Sequence, residues 1–318
     1  MKRIAAVLLA LAAAACSLPA LAAWPERPVK IIVPFAAGGP ADSAMRIVGK
    51  RLGEIWGQPV IVENRPGAPG MVSVASAAPD GYTMLLGAGS NVVTAPLVNK
   101  RLAYKPQDFA PVTLLVTSTS ILTVHPSLGL KTLKDFIAYA RSHPGRVNYS
   151  SSGVGSPGHL LMEMFQQRTG TAMTHIPYKG GAPAVAELMA GYVQAGINAT
   201  PSVIQYVQAG KLVALAVTSK TRDRSLPAVP TMAEAGVPGL DFDVWYALFA
   251  PAKTPKEVTE KVSADVRRAL AYAEVEKAIQ GQGNEPAGST PQQLARRVQD
   301  ETQAWEKLVR ERKLTTEE

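Results

Sequence analysis

Three stretches of this chain repeat one pattern: an apolar strand, a glycine-containing turn and an amphipathic helix. VKIIVPF runs into AAGGPAD and a helix reaching about Leu52. RVNYSSSG runs into VGSPG and HLLMEMFQQRTG, and AMTHIPY into KGGAP and AVAELMAG. Strands alternating with helices in this way predict α/β architecture with mixed, largely parallel sheets. Further short strands are expected at PVIVEN, YTMLLGA, PVTLLV, ILTVHP, VQAGIN, LVALAVTS and VWYALFAPA. At 318 residues the chain has room for two domains, each able to bury its own core.

Spacing supports the helix after the first turn. Ala44, Val48, Leu52 and Ile55 follow a helical period and would face a sheet, while Arg46, Lys50 and Glu54 share the opposite face. Arg46 stands four residues after Asp42, so an Asp–Arg pair on that solvated face is expected. Near the C-terminus, TPKEVTEKVSADVRRALAY and TPQQLARRVQDETQAWEKLVRERK each open on Thr-Pro. Thr254 and Thr290 are the expected N-caps, with proline at the first helical position and Glu or Gln near N3. Both helices read as structural, with no site on them.

Residues 1–23 read as a secretory signal peptide rather than as part of the fold. MKR is a cationic start, IAAVLLALAAAA an apolar stretch, and SLPALAA a small-residue end with cleavage after Ala22 or Ala23. Cys16 offers a lipoprotein alternative, but Ala13, Ala14 and Ala15 stand where a bulky aliphatic residue is expected. It is the only cysteine, so the exported chain needs no disulfide. The expected location is the periplasm. The formal charge of +8 falls to +6 once Lys2 and Arg3 leave, which suits an anionic ligand. The cations are scattered without an aromatic-studded basic stripe, so nucleic acid is not an expected partner.

Enzyme signatures are incomplete. His125, His143, His159 and His175 lack metal-binding spacing, and no metal or cofactor is expected. Ser156 is preceded by Val154 where a nucleophile elbow needs glycine. LLGAGSNVV lacks the third glycine of a dinucleotide fingerprint. Asp241 and Asp243 would share a strand face, and an exposed strand start is the expected reading. His159, in the first turn of its helix, suits a neutral hydrogen-bonding histidine lining a pocket, because the dipole disfavours the imidazolium there.

Anion binding by backbone is what remains. In PFAAGGPAD, residues 34–42, the glycines allow close approach to a ligand, and the next N–H groups have no intrahelical acceptor. SSGVGSPGH offers the same device with hydroxyls on Ser151, Ser152 and Ser156, and NRPGAPG is a third glycine turn. Two such loops on separate α/β lobes could close on one ligand from opposite sides.

These segments, with WPERPVKIIVPFAAGGPAD, VENRPGAPG, APDGYTMLLG, YSSSGVGSPGHL, HIPYKGGAPAVAELMAG, AGKLVALAVTS, LPAVPTMAEAGVPG and LFAPAKTP in order, closely resemble the Bug, or TctC-like, solute receptors of tripartite tricarboxylate transporters. The resemblance spans the chain beyond the leader. It implies a type 2 periplasmic binding protein, a two-lobed clamshell with a hinge. Residues 24–112 plus 218–318 would form lobe 1 and residues 113–217 lobe 2, with crossings near Pro111–Thr113 and Val217–Ser219. It further implies a non-catalytic receptor, monomeric, that binds a small mono- or dicarboxylate and passes it to membrane transporter subunits.

By the same resemblance, Phe35, Ala36, Gly39, Pro40, Ala41 and Asp42 belong to the first carboxylate-holding loop. Ser152, Gly153, Gly155, Ser156 and His159 match the second-lobe loop, Gly67 and Ala68 the third turn, and Tyr178 and Lys179 the Pro-Tyr-Lys-Gly stretch. Pro69 replaces a glycine and removes a backbone donor. Asn198 stands where an acidic residue is frequent, and Ser90 and Asn91 replace an Asn-Gly-type pair. Phe35, Met71 and Trp245 are expected to set the pocket's size. Two alternatives stand beside transport: a ligand sensor for a signalling partner, and a secreted hydrolase using Ser156 and His159.

Overall fold

A computed structural model describes residues 24–314. The signal-peptide reading and Cys16 lie outside those residues. Ten strands form one continuous, strongly mixed sheet system. β1 (Val29–Val33) lies between β2 (Val60–Asn64) and β3 (Thr83–Ala88), parallel to both. VKIIV is apolar apart from Lys30, whose ammonium pairs with Glu63 at 3.1 Å, because a strand covered on both faces has little solvent side. On the far side of β3, β9 (Asp243–Pro251) runs antiparallel and pairs in turn with β4 (Phe109–Val124).

β4 ties the two halves together. The sequence splits it into two strands around TSTS, whereas the chain runs extended for 16 residues. Phe109–Thr119 pair with β9, and Ser120–Val124 pair with β7 (Ala195–Ala199). β8 (Val213–Val217) also pairs with this second part. Thr119 and Ser120 stay extended because each finds a partner there. Thr119 Oγ1 donates to Asp223 Oδ2 at 2.6 Å, and the Ser120 N–H donates to Thr218 Oγ1 at 3.2 Å. Beyond β7, β5 (Asn148–Ser151) and β6 (Thr174–Pro177) complete a parallel set. β10 (Glu285–Pro286) pairs with β4.

Helices fill both faces. α1 (Pro40–Trp56) follows β1 and buries Ala44, Val48 and Leu52, leaving Arg46 and Lys50 exposed. Proline at its first position and the left-handed Gly57 at its end fix both limits. α2 (Ala68–Ala75), one π-turn at Ser90–Thr94, α3 (Ala95–Val98) and α4 (Leu133–Ser142) follow. Then come α5 (Pro157–Thr169), α6 (Gly181–Met189) and α7 (Thr200–Gln208). α8 (Lys256–Leu270), α9 (Ala273–Gln280) and α10 (Pro291–Arg312) close the chain.

Thr290 caps α10 through a full capping box with Gln293. Thr254 does not cap α8. Pro255 is the N-cap, because the helix starts one residue later, at Lys256. Met71 is a core residue at 1 % exposure, packed in an apolar cluster with Ile32, Val74 and Leu85, and it does not set the size of any cleft. Among the described residues no helix is long and apolar enough to cross a membrane.

Candidate ligand-binding cleft

A cleft of about 1180 Å³ opens between the two parts of the sheet system. Its wall comes from loops that follow strands. Phe35, Ala36 and Gly38–Ala41 follow β1, Gly89 and Ser90 follow β3, Ser152 and Val154–Gly158 follow β5, Lys179–Pro183 follow β6, and Asn198 and Ala199 end β7, with Pro201 and Ser202 just after it. Four helices therefore start at the cleft: α1, α5, α6 and α7.

The loop after β1 owes its shape to Asp42, which is 3 % exposed and faces away from the cleft. Its Oδ2 accepts the Gly38 N–H at 2.9 Å, and Arg46 and Asn64 donate to both ends of the carboxylate at 2.9–3.1 Å. Asn64 also donates to the Phe35 carbonyl at 3.3 Å, so β2 holds the loop at two points. Burial works against the charged carboxylate. The hydrogen bonds from Arg46, Gly38 and Asn64 outweigh it and hold Asp42 below the usual carboxylate range. Pro40 carries no N–H and Gly39 donates to Ala36, so the Ala41 and Asp42 amides are the unspent donors at this helix start.

The loop after β5 repeats the device. Ser156 is the N-cap of α5 but makes no side-chain cap, and Pro157 again removes a donor. The Gly158 and His159 amides are left over by the same count. Ser156 Oγ is buried without a hydrogen-bond partner, and so is Asn198 Nδ2 across the wall. Both atoms lie within the wall, the Asn198 amide beside Gly196 and the Ser150 hydroxyl.

His159 stands behind this loop rather than on the cleft wall. Its Nδ1 accepts the Gly155 N–H at 3.0 Å, and its ring stacks on His175 with centroids 3.9 Å apart. His175 bonds Ser151 Oγ at 2.7 Å and stacks on Tyr149. Burial pushes both imidazoles down, His175 to about 4 with the help of neighbouring His159. Ser156 and His159 make no hydrogen bond to each other. His159 Nδ1 is committed to Gly155, so the two do not form a nucleophile–base couple.

Of the residues singled out from sequence, Phe35, Ala36, Gly39, Pro40, Ala41, Ser90, Ser152, Gly155, Ser156 and Asn198 share the cleft wall, joined by Lys179 and Trp245. Asp42, Gly67, Ala68, Gly153, His159 and Tyr178 do not line it. Gly67 donates to Pro34 and starts α2 with φ +74°, while Ala68 is exposed. Gly153 and Tyr178 both bond to Ser151 and fix the second loop from behind. Asp243 is half-buried rather than at an exposed strand start. Burial raises its carboxyl against the pull of Arg297 and Lys220.

Several wall residues have no sequence signature. Phe242, Val244 and Tyr246 arrive on β9 and the chain before it, Gln205 and Tyr206 on α7, and Gln282 on the turn after α9. Their only shared property is position, which spacing does not report. α10, which reads as purely structural, also reaches the site. Glu301 accepts from Trp245 Nε1 at 2.9 Å, and Arg297 donates to Glu301 at 2.9 Å, pinning the indole that lines the cleft. The described wall contains no Asp, Glu, His or Arg, and Lys179 is its one charged side chain. No group of three or more His, Cys, Asp or Glu among the described residues could hold a metal ion.

A mixed α/β fold with a cleft walled by strand-following loops is the architecture of a solute-binding protein, as in the solved structure of the periplasmic binding protein BugD. Residues 44–314 match the tripartite tricarboxylate transporter family receptor, and the chain belongs to that family. It is 39% identical over 293 residues to protein BugT of Bordetella pertussis, covering 91% of this chain and 90% of that one. The solved structure of Rhodopseudomonas palustris Rpa4515 with adipate is 36% identical with a TM-score of 0.82, over 90% of this chain and 97% of that one. MatC from Rhodopseudomonas palustris with bound malate is 33% identical with a TM-score of 0.78, over 90% and 100%.

Proposed function

We propose that this receptor takes up a small organic carboxylate in the cleft, releases it unchanged, and delivers it to the membrane subunits of a tripartite transporter. One observation carries the reading: four helix N-termini open onto a wall without an acidic side chain. Each N-terminus presents unspent amides and the positive end of a helix dipole, so the wall favours negative charge without an arginine clamp. Adipate and malate in the two relatives are ligands of the same chemistry.

The uncoupled Ser156 and His159 favour binding over catalysis. Residues 1–23 would direct export to the periplasm, where receptors of this family act. The lobes would divide where β4 changes partners, at Thr119–Ser120, and again at Phe242–Asp243. Both points lie further along than the crossings read from sequence. The segment after β8 supports this division, since Leu226 and Val229 pack with Ile121 and Val203.

Mass spectrometry of small molecules released on denaturing the purified protein tests the reading. A small organic acid in near-stoichiometric amount is expected. A sugar or an amine in its place would contradict it.

A further inference from the structure

Tyr246 is half-buried on β9 and lines the cleft. Its hydroxyl has no hydrogen-bond partner among the described residues and is not sealed inside the protein, so it opens to the cleft. Phe242, Val244 and Tyr246 alternate along the chain and all three line the cleft, so they share one face. With Phe35 they make an apolar floor on which the Tyr246 hydroxyl is the one polar side-chain atom.

The ring is held from several sides. β9 pairs with β3 at Ala88 and with β4 at Val116, so the backbone of Tyr246 lies inside the sheet. Phe35 meets its ring edge-on, with centroids 5.8 Å apart. Both rings pack on the apolar cluster that includes Ala41 and Met45 of α1. Tyr246 therefore stands in the same corner of the cleft as the loop whose Ala41 and Asp42 amides are unspent. Burial pushes its hydroxyl up to about 12, so it stays protonated and free to donate.

We propose that Tyr246 is a ligand-binding residue whose hydroxyl donates to the carboxylate held at the start of α1, adding a side-chain donor to the backbone amides there. The inference rests on the carboxylate reading of the cleft. A carboxylate only accepts hydrogen bonds, so the phenol is the donor. Such a bond to a charged oxygen is shorter and stronger than one between neutral groups. An apolar group laid over this hydroxyl would instead strip its hydration and give nothing back.

Calorimetric titration with propionate, succinate, malate, adipate and benzoate tests this. Each acid that binds the unmodified protein should bind Tyr246→Phe about tenfold more weakly, and by a similar factor, because the carboxylate is common to all. The variant keeps the ring against Phe35 and removes only the hydroxyl. Unchanged affinities, or a loss confined to malate with its extra hydroxyl, would overturn the assignment. Should Tyr246→Phe fail to fold, the unmodified protein labelled at the phenolic carbons of its nine tyrosines serves. The Tyr246 resonance should move as the acid is added, with Tyr206→Phe identifying the other tyrosine on the wall, and a still resonance would overturn the assignment. Silence from all five acids would overturn the carboxylate reading itself, whereas undiminished binding by the variant overturns the role of Tyr246 alone.

Discussion

Asp42 accepts hydrogen bonds from Gly38, Arg46 and Asn64, and so fixes the loop that would meet the ligand without meeting it itself. Asp42→Ala should therefore weaken acid binding by roughly tenfold and lower Tm, since a buried donor set loses its acceptor; calorimetry and thermal melts read both effects. Its folded pKa lies below the unfolded value near 4, so its contribution is full above that value and is lost as pH falls through the folded one. The His159–His175 stack has the same acid-side sign by another route. With His175 held at about 4, the unfolded chain binds a proton more readily than the folded one, and stability falls from about pH 6.5 down to about pH 4. His175→Phe keeps the stack and removes that titration. Its Tm should fall less steeply than the unmodified protein's over that interval.

The loop after β5 is shaped by a glycine that no other residue can replace. Gly155 has φ +76°, and an added Cβ would stand 2.4 Å from Val98 on α3. Gly155→Ala should cost about 2 kcal/mol from the left-handed backbone alone, with more from the contact against a stiff valine. Urea unfolding measures that cost, and a matching loss of acid affinity would place the loop at the ligand. The start of this loop was legible in SSGVGSPGH because glycine, proline and serine are the residues that such a turn requires. Other elements were not. TSTS reads as a break between strands, yet Thr119 and Ser120 continue β4 because Asp223 and Thr218 satisfy their polar groups from distant segments. Thr254 reads as a cap for the same local reason that Thr290 is one, but the chain turns into α8 one residue late.

Across the whole molecule, the alternation of strands and helices and the two glycine loops carried most of the architecture, while the far wall of the cleft stayed out of reach of sequence. Phe242, Tyr206 and Gln282 come from three unrelated elements, and only the folded topology brings them to one cavity. Nor does spacing reveal that α10 supports the site through Glu301 and Trp245, or that Arg312 near its end reaches Glu163 of α5 at 2.6 Å. The central claim concerns charge: backbone amides at helix starts, with no opposing acid, hold a carboxylate. Its most direct test compares organic acids with their own primary amides, which keep the shape and lose the charge, by thermal melting at ligand concentrations far above Kd. One acid should raise Tm by several degrees, as linkage requires for a ligand bound to the folded state alone, and its amide should leave Tm unchanged. Equal shifts from acid and amide, or stabilisation by an amine or sugar with every acid silent, would contradict the account.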